Sequence, residues 1–322
     1  MRKARSFEAV AAGSVALGLT VLAVMFALYL RYVRYERVAL RHLPPGTVLA
    51  VRLDVEQAIF YEPIRRHVLP LFGGPSSPPA QADARLSRIE LRSRFKRSDL
   101  REIVVGRGDS RADWVIVLAG LFPRDLGSET LAAALSDEPG WTRTDEGRVA
   151  EHGSGLTVGR AQDGAIVIAS SRSLFASALR PSDTAERLGL SSSGAGGFAL
   201  SSRAIAELST WPPVLVAGRL PGDLGRLDSI TAVFVPGERI TVVTTFHASD
   251  TGAAEQSAKG ALELMRARGR ASESRAAELL RAGLDRAAIR HADRGAELSV
   301  EWEREEVDYA LASLADAIRS RW

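Results

Sequence analysis

The pattern of apolar and polar positions divides the chain into two regimes. From Ala9 to Leu30 there are 22 residues without a charge. As helix they span about 33 Å at 1.5 Å per residue, enough for a hydrocarbon core of about 30 Å. Ser14 and Thr20 are polar positions inside it whose hydroxyls can bond the preceding turn, and Tyr29 falls at the expected interface. A cleaved signal peptide would have a shorter apolar stretch and a small-x-small site. Here Arg-Tyr-Val-Arg-Tyr-Glu-Arg follows Leu30 instead. The pattern predicts residues 1–8 as a short tail, 9–30 as one uncleaved transmembrane helix (a signal-anchor) and 31–43 as an Arg-rich juxtamembrane helix.

Beyond it the period changes. Leu43-Pro44-Pro45-Gly46 ends the helical stretch, because proline removes donors and biases its predecessor towards extended backbone. Thr47–Asp54 reads as a strand, and Val55 to His67 as a helix capped by Asp54. A Pro/Gly-rich excursion covers 73–83, with an Arg-rich helix expected near Ala84–Phe95. Arg101–Gly106 and Trp114–Leu121 form a predicted hairpin. Its second strand is apolar on both faces, as in a strand covered from both sides. A helix near Ser128–Leu135, strands near Arg148–His152, Leu156–Arg160 and Ala165–Ala169, and a helix at Arg172–Leu179 complete a first unit over 44–190.

The Ser/Gly run at 191–197 reads as a flexible joint, after which a comparable order restarts over 198–322. Phe198–Leu200 and Ser202–Leu208 are a predicted short strand and helix. Val214–Ala217, Ser229–Val235 and Arg239–His247 are strands, followed by helices from Asp250 to Arg268 and over Glu273–Asp285. A hairpin of Ala288–Ala292 and Glu297–Trp302 precedes a closing helix, Glu305–Arg319. Leu298, Val300 and Trp302 alternate with Glu297, Ser299, Glu301 and Glu303, so this sheet has one dry and one wet face and is antiparallel. The fold class expected is α+β: a transmembrane helix followed by two similar α+β units with largely antiparallel sheets. Arg101–Leu135 corresponds in order to Ser229–Met265, and Arg148–Leu179 to Ala288–Ile318.

Composition narrows the function classes. At 46% hydrophobic and 25% charged the chain is too apolar for disorder, and with no cysteine it holds no disulfide or thiolate metal site. The net charge of +3 resembles a nucleic-acid signature until the charges are located. Residues 1–43 carry seven cations and two anions, leaving 35 cations and 37 anions in the body. Nucleic acid is therefore not an expected partner. The basic run Arg85, Arg88, Arg92, Arg94, Lys96 and Arg97 reads as an exposed helix face. Arg31, Arg34, Arg37 and Arg41 recur at helical steps after the span and are the membrane-interface candidates, facing either anionic lipid or water. Against Arg2, Lys3 and Arg5 on the other flank they leave orientation nearly balanced under the positive-inside rule.

Motifs with chemistry are sparse. Gly106-Arg107-Gly108-Asp109-Ser110 contains an adhesion tripeptide and a Gly-Asp-Ser string, but between two strands it reads as a turn. A serine hydrolase of that type would need a late Asp-x-x-His, and none of His42, His67, His152, His247 and His291 has Asp three positions earlier. No His-Glu-x-x-His or Walker loop occurs. Glu301, Glu303, Glu305, Glu306 and Asp308 read as a wet strand face and a helix N-terminus. No catalytic, cofactor or metal residues are assigned. For an enzyme with a dispersed site, the first suspects are His152, Asp54 and the Glu301/Glu303 pair.

Leu43-Pro44-Pro45-Gly46-Thr47 opening LPPGTVLAVRLD, followed by LREIVVGRG and DWVIVLAG, is similar to a group of uncharacterised bacterial membrane-anchored proteins. These carry a Leu-Pro-x-x-Thr entry strand and loosely duplicated α+β domains. The resemblance covers most of the body on short motifs, and it implies an extracytoplasmic body on the inner membrane without a known activity. The absent lipobox cysteine departs from the lipid-anchored members and leaves the helix as the anchor. The reading is a non-catalytic binding or scaffolding body that meets the lipid bilayer and an envelope protein or glycan. An envelope enzyme, or a cytosolic body tethered to the membrane, is the alternative.

Overall fold

The computed structural model describes residues 37–68, 90–122, 127–145, 147–209, 222–271, 275–293, 295–309 and 311–312. The chain enters as an extended strap with a short 3-10 turn at Ala39–His42. It continues as β1 (Leu49–Asp54), α1 (Val55–Phe60), β2 (Leu100–Arg107), β3 (Trp114–Gly120) and α2 (Ser128–Ser136). Four short strands follow, β4 (Trp141–Thr144), β5 (Val149–His152), β6 (Thr157–Arg160) and β7 (Ile166–Ala169), then α3 (Arg172–Ala178) and α4 (Thr184–Arg187). The remainder is β8 (Gly196–Ser201), α5 (Ser202–Ser209), β9 (Ser229–Val235), β10 (Arg239–His247), α6 (Thr251–Ala271), α7 (Arg275–Asp285), β11 (Ala288–Ala292) and β12 (Gly295–Glu303), with residues 304–309 helical after it.

The twelve strands among the described residues belong to one sheet, in the order β11-β12-β10-β9-β8-β1-β2-β3-β7-β6-β5-β4. Its pairings are antiparallel, as the alternation in β12 requires. Strand β1 lies at the centre between β2 and β8, where Ala50 lies opposite both Gly106 and Ala199. From there the order runs outward as β1, β2, β3 on one side and β8, β9, β10 on the other.

The Ser/Gly run expected as a joint is therefore a tight entry into a central strand. Gly194 takes a left-handed φ of 69°. A Cβ on it would lie 2.5 Å from the Phe234 carbonyl oxygen, and one on Gly197 2.4 Å from that of Ala232. Glycine is needed at both positions for close approach, not for flexibility.

One face of the sheet carries two cores. Over β3 and β5–β7, Leu131, Ala132 and Leu135 of α2 pack on Ala150, Val158 and Ile166. Over β9, β10 and β12, Ala254, Ala258 and Leu262 of α6 and Leu284 of α7 pack on Ile230, Phe246, Leu298 and Val300. On the opposite face lie α3 and the strap. The Phe175 ring fills the space a Cβ on Gly159 would need, and Leu43 does the same over Gly106.

Several expectations are corrected by these contacts. The helix expected to continue to residue 43 is a 3-10 turn of four residues, and Val38, Ala39, His42 and Leu43 are buried in the body. Apolar side chains at these positions are satisfied by the sheet, so 37–43 is a packed strap. The helix expected over Val55–His67 breaks at Tyr61 (ψ 108°), two residues before Pro63, and resumes as a π-turn at Ile64–Val68. Strand β4, an edge strand after the Gly140 turn, and the short α4 were not expected. Helix 84–95 is seen only at residues 90–93, and the closing helix only at 304–309 and 311–312; the rest of both lies outside the described residues, as do Val214–Ala217 and the segment 9–30. Among the described residues no helix is long and apolar enough to cross a membrane.

Candidate ligand-binding cleft

Strand β1 sends alternate side chains to opposite faces, and each set meets a different environment. Leu49, Val51 and Leu53 point to the helix-bearing face, where α2 and α6 leave the sheet centre open between them. With Phe198 and Leu200 of β8, Ala232 and Phe234 of β9 and Val242 of β10 they line a cleft of about 560 Å³. Ala58 of α1 and Ile64 of the π-turn form its far wall. Val51 and Leu53 are 42% and 41% exposed, high for apolar residues in a central strand. The volume suits a small-molecule site, but the few placed polar groups that usually orient a polar ligand are missing from this lining. Arg52 contributes backbone only, since its side chain leaves from the other face.

On that other face Arg52 and Asp54 build a buried charge network. The Arg52 side chain is 0% exposed and that of Glu102 1%. Arg52 donates through Nε to Glu102 Oε1 at 2.7 Å, through Nη1 to the carbonyls of Ser193 and Gly194 at 3.1 and 3.2 Å, and through Nη2 to Asp54 Oδ2 at 3.3 Å. Asp54 also caps α1, accepting from the Gln57 amide at 2.9 Å, and accepts from Arg37 Nη2 at 3.0 Å. The network ties the strap, β1, β2 and the entry to β8 together. It holds the rear of the cleft rigid and leaves its acids and bases engaged with each other.

The membrane-interface candidates divide. Arg31 and Arg34 lie outside the described residues. Arg37 is engaged with Asp54, and Arg41 sits exposed on the 3-10 turn, its carbonyl accepting from the Ser182 amide at 2.8 Å. The catalytic suspects are not brought together. Asp54 is in the network; Glu301 and Glu303 of β12 face Arg239, at 3.6 and 3.0 Å. His152 of β5 bonds Ser154 through Nδ1 at 2.8 Å. Nine strand steps separate β12 from β5, about 43 Å along the sheet at ~4.8 Å per step. The Arg107–Asp113 segment is a hairpin turn closed by Gly108 N–H to the Asp113 carbonyl at 2.8 Å, with Asp109 paired to Arg203. Among the described residues no group of three or more potential metal ligands converges. A second cavity of about 580 Å³ beside β9 and β10 is lined by Asp228, His247 and Asp293, with His247 Nε2 3.3 Å from Thr231 Oγ1.

Sequence reasoning missed the cleft and the network. Their signal was a strand, Leu-Ala-Val-Arg-Leu-Asp, with charges on one face and aliphatics on the other. That pattern ordinarily means charges in water and aliphatics in a core; here the exposures are reversed.

No protein-family model matches the chain, and no curated protein matches it. Solved structures of TP0453 are similar in outline. Crystal forms I, III and IV align with 88%, 86% and 87% of this chain and 98–99% of theirs, at 8–11% sequence identity and TM-scores of 0.42, 0.45 and 0.44. Likeness of that degree carries no argument about what this chain does.

Proposed function

We propose that the chain is a single-pass membrane-anchored protein, held by residues 9–30, whose body is two similar α+β units fused through one sheet. It sits outside the cytoplasm and binds the hydrocarbon part of an envelope ligand without catalysis. The observation that carries this reading is the cleft at the sheet centre, open to solvent and lined by aliphatic and aromatic side chains. Burying apolar ligand surface there releases about 25 cal/mol per Å². A glycan would find too few hydrogen-bonding groups, so the lining favours an alkyl chain over the sugar considered from sequence. An anchor would keep the body beside a bilayer, where such chains are abundant.

The test is photolabelling of the full chain, held in an amphipathic polymer belt, with a palmitic acid analogue bearing a mid-chain diazirine. The expected result is label on peptides from β1, β8 and β9, lost on competition with palmitate and in Leu53→Asp. Leu53 is partly exposed, so that change alters the cleft without emptying a core. Label confined to residues 9–30 would overturn the binding reading. Placement is tested separately by two reporters fused after Trp322, one active only outside the cytoplasm and one fluorescent only inside it. Fluorescence inside would move the body to the cytosol.

A further inference from the structure

Residues 37–47, the packed strap and the Pro44–Thr47 turn after it, are the chain's link between the proposed anchor and β1. The strap lies on the sheet face opposite the cleft, and its central side chain is a histidine. His42 is 1% exposed. Its Nδ1 lies 2.7 Å from the Ala178 carbonyl oxygen at the end of α3, and its Nε2 2.8 Å from Asp163 Oδ2 on the turn between β6 and β7. Both partners are acceptors only. A neutral imidazole has one N–H and one lone pair, so it satisfies one of them and turns a lone pair on the other; the imidazolium satisfies both.

The surroundings agree with the cation. Burial pushes the imidazole pKa down, but the hydrogen bonds to Asp163 and Ala178 and the charge of Asp163 outweigh it, and the result lies above the ordinary 6.5. Arg41, on the same turn, opposes. From β2 the charged group on this face is Glu102, already bound to Arg52. From β3 come Val115, Val117 and Ala119, without charge. From α4 and its cap come Glu186 and the mutually paired Asp183 and Arg187; from α3 and its end come Arg172, paired with Asp145 and Glu151, and the exposed Arg180, and from β6 Arg160, bonded to the Gly164 carbonyl. Asp163 is itself held below 3.8: burial pushes it up, and the hydrogen bonds from His42 and the Ala165 amide pull it down further.

We propose that the strap is a pH-gated tether, docked on the sheet while His42 is an imidazolium and released when it loses its proton. The sign follows from linkage. A raised histidine pKa gives a contribution to docking that is fully present below about 6.5 and lost as pH rises through the higher docked value. At the acid end, the Asp163 contribution is lost as pH falls through its depressed value. Full release would free eleven residues, roughly 37 Å of extended chain at ~3.4 Å each. Only that consequence, the distance between body and bilayer, rests on the anchored reading.

The test is hydrogen–deuterium exchange on the full chain in detergent micelles, corrected for intrinsic rates, from about pH 6 to about pH 9. Peptides covering 37–47 are expected to lose about tenfold of their protection across this range while β2 and β3 keep theirs, the scale of one lost buried hydrogen bond. In His42→Gln, which offers a donor and an acceptor but no titration, protection should be low and flat. Protection of the native strap that stays constant across the range, or a pH dependence that survives His42→Gln, would overturn the proposal. If His42→Gln does not fold, Asp163→Asn decides. Removing the carboxylate should move the release to lower pH, and an unmoved midpoint refutes the switch. These readouts are independent of photolabelling and of the topology reporters, so the failure of one reading is distinguishable from failure of the other.

Discussion

Replacing Arg52 by methionine removes the guanidinium at the centre of the sheet while keeping a long unbranched side chain. The pair it forms with Glu102 is as buried as any among the described residues, at 0% and 1% exposure. Attraction alone does not measure its worth, because both charges have been taken out of water. The relevant quantity is what remains after the change. The Glu102 carboxylate would stay buried without the guanidinium opposite it, and the Ser193 and Gly194 carbonyls would each lose a donor. Asp54 suffers less, since Gln57 and Arg37 still hold it. Breaking one side of such a pair costs about 3–5 kcal/mol, a large share of the roughly 5–15 kcal/mol that holds a typical domain. Arg52→Met with Glu102→Leu removes both charges and should recover more than half of the loss, leaving about 1–2 kcal/mol from the two carbonyls. The assay is urea unfolding of the full chain in mild detergent, followed by tryptophan fluorescence and analysed as a double-mutant cycle. A single-variant loss under about 1 kcal/mol, or strict additivity in the cycle, would refute the claim that this pair is desolvated and coupled.

Two further outcomes follow from packing at the same centre. Gly197→Ala brings a Cβ to 2.4 Å from the Ala232 carbonyl oxygen, and should lower stability by about 2–4 kcal/mol in the same urea assay, the range of a strongly overpacked site; a flexible joint would absorb the methyl group unnoticed. Tyr61 has its hydroxyl buried without a hydrogen-bond partner among the described residues, and burial, with Asp308 and Glu305 adding and Arg304 opposing, pushes its pKa to about 12. Tyr61→Phe should therefore leave thermal stability unchanged or raise it by about 1 kcal/mol, keeping the edge contact with Phe234; a fall of that size would show that the hydroxyl has a partner.

What the sequence made legible was local. The strict alternation of β12, the doubly apolar β3, Asp54 as a helix cap and the turn after Arg107 each depend on residues a few positions apart, and each is where the pattern put it. Most single elements also lie near their expected places, because hydrophobic period reports element type well. Pairing between β1 and β8 does not show in that way: it joins Leu49 to Leu200 across the whole first unit. Ser191–Gly197 illustrates why. Glycine permits both a loose linker and a close backbone approach, so its local signal is the same for opposite structures. His42 was similarly opaque, since the acceptors that define it are 121 and 136 residues away.

Arg52 exposes the deeper reason. In a strand of alternating character the assignment of wet and dry faces rests on the assumption that charges go to water. At the sheet centre the charged face of β1 is closed by the strap, and its two acids and two arginines neutralise one another: Arg37 and Arg52 against Asp54 and Glu102. Once the charged face is closed by its own pairs and by the strap, the aliphatic face becomes the one left open. The cleft is thus a consequence of where the network sits. The two should fail in different ways: loss of the network should lower stability and loosen β1, while polar substitution at Leu53 should remove ligand labelling and leave unfolding in urea nearly unchanged.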